Sequence, residues 1–383
     1  MDNDRTVAVK YLEEIQKKYR QFPFLTQKEH ILKLLTNEAL LQPLFKQFQE
    51  KYPTLTFQDF INSIKQQSFV DELIADGDYQ NPNWAHLISS LLIDLKPAIS
   101  ARYGDYKGKY LFGSLAWGKV NGFAIRVPGS SYKLIVLSEG AFGFIHLLTK
   151  AIRQIFYLNT EGGTQFVINK QTIHQNLEKA PIVWDRVFDL VMSYAVDANP
   201  YGAKQYLDSE DLGFNIHTAL RHAMEIFILG HEFGHILHQH LDERTIHVDD
   251  KNKIILNQLQ ELEADNIGLT LSLTVSVNNK VGSAIGFAGA DFFFGSMRFF
   301  EKCLSLLKSG EIDHENLFDT HPPFHLRKTF IRGQLSNLEK SEVEEILDFA
   351  NTLEIVLDNL FNKLRPSLLK AFQKGVKSHI SWN

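Results

Sequence analysis

Two histidines four residues apart with a glutamate beside the first, His231-Glu232-Phe233-Gly234-His235, are the residues of this chain best suited to do chemistry. An α-helix turns 100° per residue, so residues four apart leave the same face one turn along the axis. On a helix His231 and His235 therefore converge on one ion. Glu232, one position round from His231, reaches a water on the ion's open side as a general base. The chemistry this predicts is hydrolysis. Zinc held by three protein ligands keeps a fourth position open and lowers the pKa of a water there towards about 7. One Zn2+ per chain is the expected cofactor, and a protein or peptide the expected substrate.

H-E-x-x-H arises by chance in roughly one chain in thirty of this length and histidine content. Two features argue against chance. Upstream, the run from Ile216 to Gly230 is too apolar for a solvated helix, and Leu220, Met224, Phe227, His231, His235 and His238 follow one helical stripe. Polar groups on such a stripe need partners. Downstream, Glu261-Leu262-Glu263-Ala264-Asp265 falls in a segment, 258–274, that reads as helical.

The third ligand sets the class. A metzincin places a third histidine six residues after the second, where this chain has Leu241, so that class is excluded. A ligand from a second helix is the other solution. Glu261 and Asp265 stand one turn apart there, so Glu261 takes the metal while Asp265 accepts a hydrogen bond from the outer ring nitrogen of a ligating histidine. Glu263 competes for the ligand position, but two residues along a helix is a rotation of 200°, and Glu261 is the better placed. His217, His222, His238 and His240 read as surface or supporting residues rather than ligands.

This set resembles a gluzincin and, within that class, the HtpX and CAAX-prenyl-protease family of integral-membrane metallopeptidases. The H-E-F-G-H at 231–235 with E-L-E-A-D at 261–265 matches the family's E-x-x-A-D ligand helix, with Glu261 in the ligand position. Thr320-His321-Pro322-Pro323-Phe324-His325-Leu326-Arg327 resembles its T-H-P-P-x-x-x-R element. A weaker likeness joins Asn121-Gly122-Phe123-Ala124 to the apolar strand at 134–140. The likeness covers roughly residues 109 to 335. It implies that His321 and Arg327 stabilise the oxyanion of the tetrahedral intermediate, and that Phe123 and Ala124 lie on an edge strand pairing with an extended substrate. On the residues alone, the alternative for His321 is a helix-entry residue before Pro322 and Pro323, and that for the strand at Phe123 an ordinary hairpin strand.

Members of that family carry transmembrane helices, and here the longest apolar run, 281–300, is broken by Asp291 and Arg298. The first residues are polar and lack a signal-peptide core, and Cys303 is the single cysteine. The expectation is a cytoplasmic chain without membrane insertion. A formal net charge of −5 gives no long-range pull towards nucleic acid or anionic lipid.

Such a site needs elements to hold it. The fold class expected is α+β, mostly helical: a helical N-terminal region, residues 1–100, and a zincin-like metallopeptidase domain, residues 101–383, with a small sheet and an active-site helix. Amphipathic patterns run through residues 5 to 75, and an apolar helix spans 84–100. Strands follow at 110–117, 123–127 and 132–137, then helices at 141–157 and 183–196. The N-terminal region could grip a partner or cover the cleft in self-inhibition. The segment 197–213 reads as a lid or as a plain connection. The phenylalanines at 292–294 and 299–300 read as buried core. Two other functions fit the motif: an intracellular single-target protease of the phage-exclusion Lit type, and a zinc-containing protein-binding module without activity.

Overall fold

The computed structural model describes residues 3–20, 42, 45–46, 49, 53–66, 72–119, 122–160, 163–167, 170–204, 216–241, 250–312 and 321–379. The helical pattern expected at 31–41, the segment 205–213, Asn121 and Thr320 lie outside these. Among the described residues the chain is mostly helical with one small three-stranded sheet.

The sheet comes from three short β-rich runs, β1 (Tyr110–Leu115), β2 (Gly122–Arg126) and β3 (Lys133–Ser138), close to the segments predicted. β3 lies in the middle, parallel to β1 and antiparallel to β2. Alternation sends Leu111, Leu134 and Val136 to one face and Phe112, Ile135 and Leu137 to the other. The first face is covered by helix α1 (Asn3–Tyr19) through Ala8, Leu12 and Ile15. Gly113 allows a close approach, since a Cβ there would lie 2.4 Å from the Leu12 side chain. Arg5 donates to the carbonyls of Glu72 and Ile74, and Gln16 donates to that of Ser114 at 2.7 Å.

The second face joins the main core with helices α3 (Pro82–Tyr103) and α4 (Glu139–Ile152), α2 being Phe57–Gln66. The core thus continues across residue 100. A cut there would remove two helices that pack on the sheet and the main core, which gives the N-terminal region a structural place besides the expected gripping or covering one.

After α4 the structure departs from the predicted helix to residue 157. A 3₁₀ turn at Arg153–Phe156 leads into a hairpin of β4 (Tyr157–Thr160) and β5 (Gly163–Phe166). Tyr157, Thr160 and Thr164 favour extended backbone, and the glycines between them favour a turn. Helices α5 (Lys170–Lys179) and α6 (Pro181–Asp197) then lead to the long helices.

The centre of the molecule is α7 (Ile216–Leu237), which carries the H-E-x-x-H residues and is buried on nearly every side from Ala223 to Gly234. It packs against α8 (Asp250–Asn278) and α9 (Ser283–Ser309), while α10 (Phe324–Gly333) and the 34-residue α11 (Lys340–Gln373) close the far side. The Asp291 that breaks the apolar run is itself buried in α9. It accepts from Arg332 at 2.6 Å and faces Lys328 at 3.2 Å, pinning α10 to α9. Phe292, Phe294, Phe299 and Phe300 are core residues. Among the described residues, no helix is long and apolar enough to cross a membrane.

Candidate metal centre

Small residues let the two site helices touch backbone to backbone. A Cβ on Gly234 would lie 3.0 Å from the Ala264 Cα, and one on Gly268 only 2.7 Å from the Phe227 carbonyl oxygen. Without side chains in the seam, α8 slides close enough to deliver Glu261 and Asp265 to the rings on α7.

Three predicted ligands meet there. His231 Nε2 lies 3.3 Å from His235 Nε2, and Glu261 completes a triangle at 3.4 Å from each ring. Their ligand atoms all fall within 4.8 Å of one another, a set that could hold a metal ion. Glu263 is absent from this set, as the 200° rotation predicts.

Behind His231, Asp265 is fully buried and accepts from Nδ1 at 2.9 Å, which turns Nε2 towards the triangle. Asp265 also takes a bidentate fork from Arg327, with Nε at 2.8 Å and Nη2 at 2.5 Å. The guanidinium stacks over Phe294, 4.8 Å from its ring centre. Arg327 thus bonds to the group that orients a ligand, and its Nη2 lies 3.4 Å from Glu261 Oε2. His321 is the more open of the pair, its Nε2 3.5 Å from Glu261 Oε1 at the rim of the triangle.

The electrostatics ask for positive charge. Burial opposes charge on His231, yet the Asp265 and Glu261 carboxylates beside its two ring nitrogens outweigh that and lift the ring to about 10. Burial opposes charge on Glu261 too, and the neighbouring His231 and Arg327 hold its carboxyl well below the usual range. Burial, with His231 alongside, drives His235 down to about 3, keeping it neutral. Even so, Glu261 Oε2 is buried with no well-formed hydrogen bond among the described residues, His231 Nε2 and Arg327 Nη2 each standing 3.4 Å away, and such an atom has room for a closer cation. Once a cation displaces the His231 Nε2 proton, two ring nitrogens and one carboxylate oxygen suit zinc.

Glu232 stands between this triangle and the sheet. Burial pushes its carboxyl up to about 7, and the backbone N–H of Ala124 donates to it. Ala124 therefore points its N–H, and by the alternation of an antiparallel ladder its carbonyl, away from β3. β2 is an edge strand and a hairpin strand at once. It also runs close: a Cβ on Gly122 would lie 2.9 Å from Glu232 Oε1. The Phe123 side chain packs on the α1 side and Ala124 on the α7 side.

The remaining histidines divide. His217 is buried against His146, with ring nitrogens 3.3 Å apart, and is a core rather than a surface residue. His222 pairs with Asp94 at 3.0 Å, tying α7 to α3. His240 Nδ1 lies 3.0 Å from His235 Nδ1, a contact that sequence reading left unassigned. The sole hint of it was the i, i+5 spacing just beyond a helix end. No protein-family model, no curated protein and no solved structure matches the chain.

Proposed function

We propose that the chain is a zinc-dependent endopeptidase of gluzincin type, with a zincin-like arrangement of α7, α8 and the β1–β3 sheet. The observation that carries the reading is the buried carboxylate of Glu261, whose Oε2 and Oε1 face the Nε2 atoms of His231 and His235 at 3.4 Å each. His231, His235 and Glu261 would hold the ion. A zinc ion there supplies Lewis acidity, making a water more acidic and a carbonyl more electrophilic.

The rest of the work falls to the chain itself. An extended peptide adds to the outer edge of β2, where the Ala124 carbonyl is directed away from β3 and its N–H is held by Glu232. That brings a scissile carbonyl alongside Glu232. A carboxylate pushed up to about 7 by burial takes a proton from the attacking water and returns it to the leaving nitrogen at neutral pH. His321, at the rim, is placed to donate from its ring to the oxygen that gains charge. Arg327 acts through Asp265, holding His231 in one orientation.

The test is zinc content and proteolysis of the purified full chain. Wild type is expected to hold one zinc and to cleave an unstructured protein such as casein. Glu261→Ala should lose the metal, and Glu232→Gln should keep it while hydrolysis falls by at least 10²-fold. Hydrolysis at the wild-type rate by Glu232→Gln would end the proposal.

A further inference from the structure

On the outer side of the metal triangle stand His238, His240 and Glu263, to which the hydrolytic reading gives no part. Their candidate ligand atoms also lie within 4.8 Å of one another, His240 Nε2 at 2.9 Å and His238 Nδ1 at 3.7 Å from Glu263 Oε2. Taken alone, they would make a second cation site.

His240 is not independent, however. The chain folds its ring back onto His235 at the end of α7. Gln239 adopts the left-handed conformation at φ 56°, the His240 N–H bonds to the His235 carbonyl at 3.0 Å, and the Gln239 N–H bonds to that of Ile236 at 3.2 Å. These two bonds close a Schellman turn. The His240 side chain is thereby 4 % exposed, with one ring nitrogen against His235 and the other against Glu263.

Proton counting then decides between the two uses. A neutral imidazole carries one proton on one of its two nitrogens. When His235 gives its Nε2 lone pair to a cation, its proton sits on Nδ1 and is donated to His240 Nδ1. His240 then carries its own proton on Nε2 and donates it to Glu263, so that nitrogen has no lone pair for a second ion. In the reverse case, a cation on His240 Nε2 puts the His240 proton on Nδ1. That proton goes to His235 Nδ1, and the His235 proton moves to Nε2, where it would expel the inner cation. While the 3.0 Å contact stands, the two sites exclude each other.

We infer that His240 and Glu263 are positioning residues: a His235–His240–Glu263 relay fixes the tautomer and tilt of His235, and the outer trio is not a second metal site. The rotation that carries Glu263 away from the metal is what brings it to His240. The relay rests on the inner trio holding a cation, and its test separates the two claims.

Metal-free full chain is titrated calorimetrically with zinc chloride, and the zinc-loaded wild type is read by ¹H–¹⁵N spectra of its histidine rings. The relay predicts one zinc per chain, with the proton on Nδ1 of His235 and on Nε2 of His240. His240→Phe should loosen zinc about 10- to 100-fold. Glu263→Ala should loosen it several-fold. Glu263→Gln, whose carbonyl still accepts, should stay near wild type, and His238→Ala should change nothing. Since Glu263 is half exposed, its variants read the relay without disturbing the core. Zinc binding by His240→Phe within twofold of wild type, a His240 proton found on Nδ1, or a second zinc lost with His238→Ala would overturn the relay alone. A wild type that binds no zinc would overturn the metal site, and the relay with it.

Discussion

His231 and His235 sit one turn apart on one helix, yet opposite kinds of partner hold them from behind. His231 leans on Asp265, fully buried and forked by Arg327. His235 leans on the His240 ring, which passes the contact to a half-exposed Glu263. A buried ion pair cannot lose one member without leaving a charge in the core. An outer relay that ends near solvent can, because water replaces what is lost. The inner support therefore couples the metal site to the stability of the fold, whereas the outer one tunes the site alone.

The largest expected effect breaks the inner side. Asp265→Ala leaves the Arg327 guanidinium buried without its carboxylate, which costs about 3–5 kcal/mol, and frees the His231 ring to turn. Urea unfolding of the metal-free chain reads this directly. Glu263→Ala, its outer counterpart, should shift the same transition by less than about 0.5 kcal/mol. If Asp265→Ala unfolds like wild type, the contrast between the two supports fails.

The candidate ligand set was legible in the sequence, and the supports behind it were mostly not, for a physical reason. Helical spacing alone placed His231, His235, Glu261 and Asp265 and set Glu263 aside, because all depend on angles within single helices. The strands near 110–117, 123–127 and 132–137 stood out by their β-rich composition and turn residues. Three things were hidden. The hairpin at 157–166 is short and follows a helix without a break in hydrophobicity, so periodicity carries the helix too far. The Arg327–Asp265 fork joins α10 to α8 and depends on how those helices pack. The fold-back of His240 hangs on one left-handed residue, and Gln239 is a glutamine where glycine would have been the signal.

A second comparison within α7 concerns pH. Burial pushes Glu225 up to about 7. Its Oε1 lies 3.5 Å from Arg221 Nε, and its Oε2 has no hydrogen-bond partner among the described residues. Burial also works against Asp265, but Arg327 and His231 hold that carboxyl below its ordinary value. The two signs are opposite. Asp265 contributes stability that is present above its unfolded pKa and lost as pH falls through the folded one. Glu225, with a folded pKa above the unfolded one near 4.5, keeps its proton better when folded, so its contribution is lost as pH rises from about 4.5 to 7. Glu225→Gln should therefore remove about 2–3 kcal/mol of the wild-type loss in stability between pH 5 and pH 8, followed by urea unfolding of the metal-free chain. Taking the difference from wild type separates Glu225 from Glu139 and Glu301, which burial also raises to about 7. An unchanged pH slope would mean that Glu225 is charged throughout and fully matched by Arg221.

The smallest effect sharpens the outer side. At φ 56°, the Cβ of Gln239 crowds the backbone, a penalty of about 1 kcal/mol that glycine escapes. Glycine's larger unfolded-state freedom offsets part of that gain. Gln239→Gly should thus stabilise the metal-free chain by about 0.5 kcal/mol and leave zinc affinity unchanged, since the two bonds of the turn persist and still fold His240 onto His235. Gln239→Val, whose branched side chain tolerates the left-handed region poorly, should open the turn. It should then loosen zinc in the same direction as His240→Phe while the inner fork of Asp265 and Arg327 stays intact. Zinc affinity that ignores Gln239→Val would show that His240 reaches His235 without the turn, so that the ring's own packing against α8, and not the backbone, sets the contact.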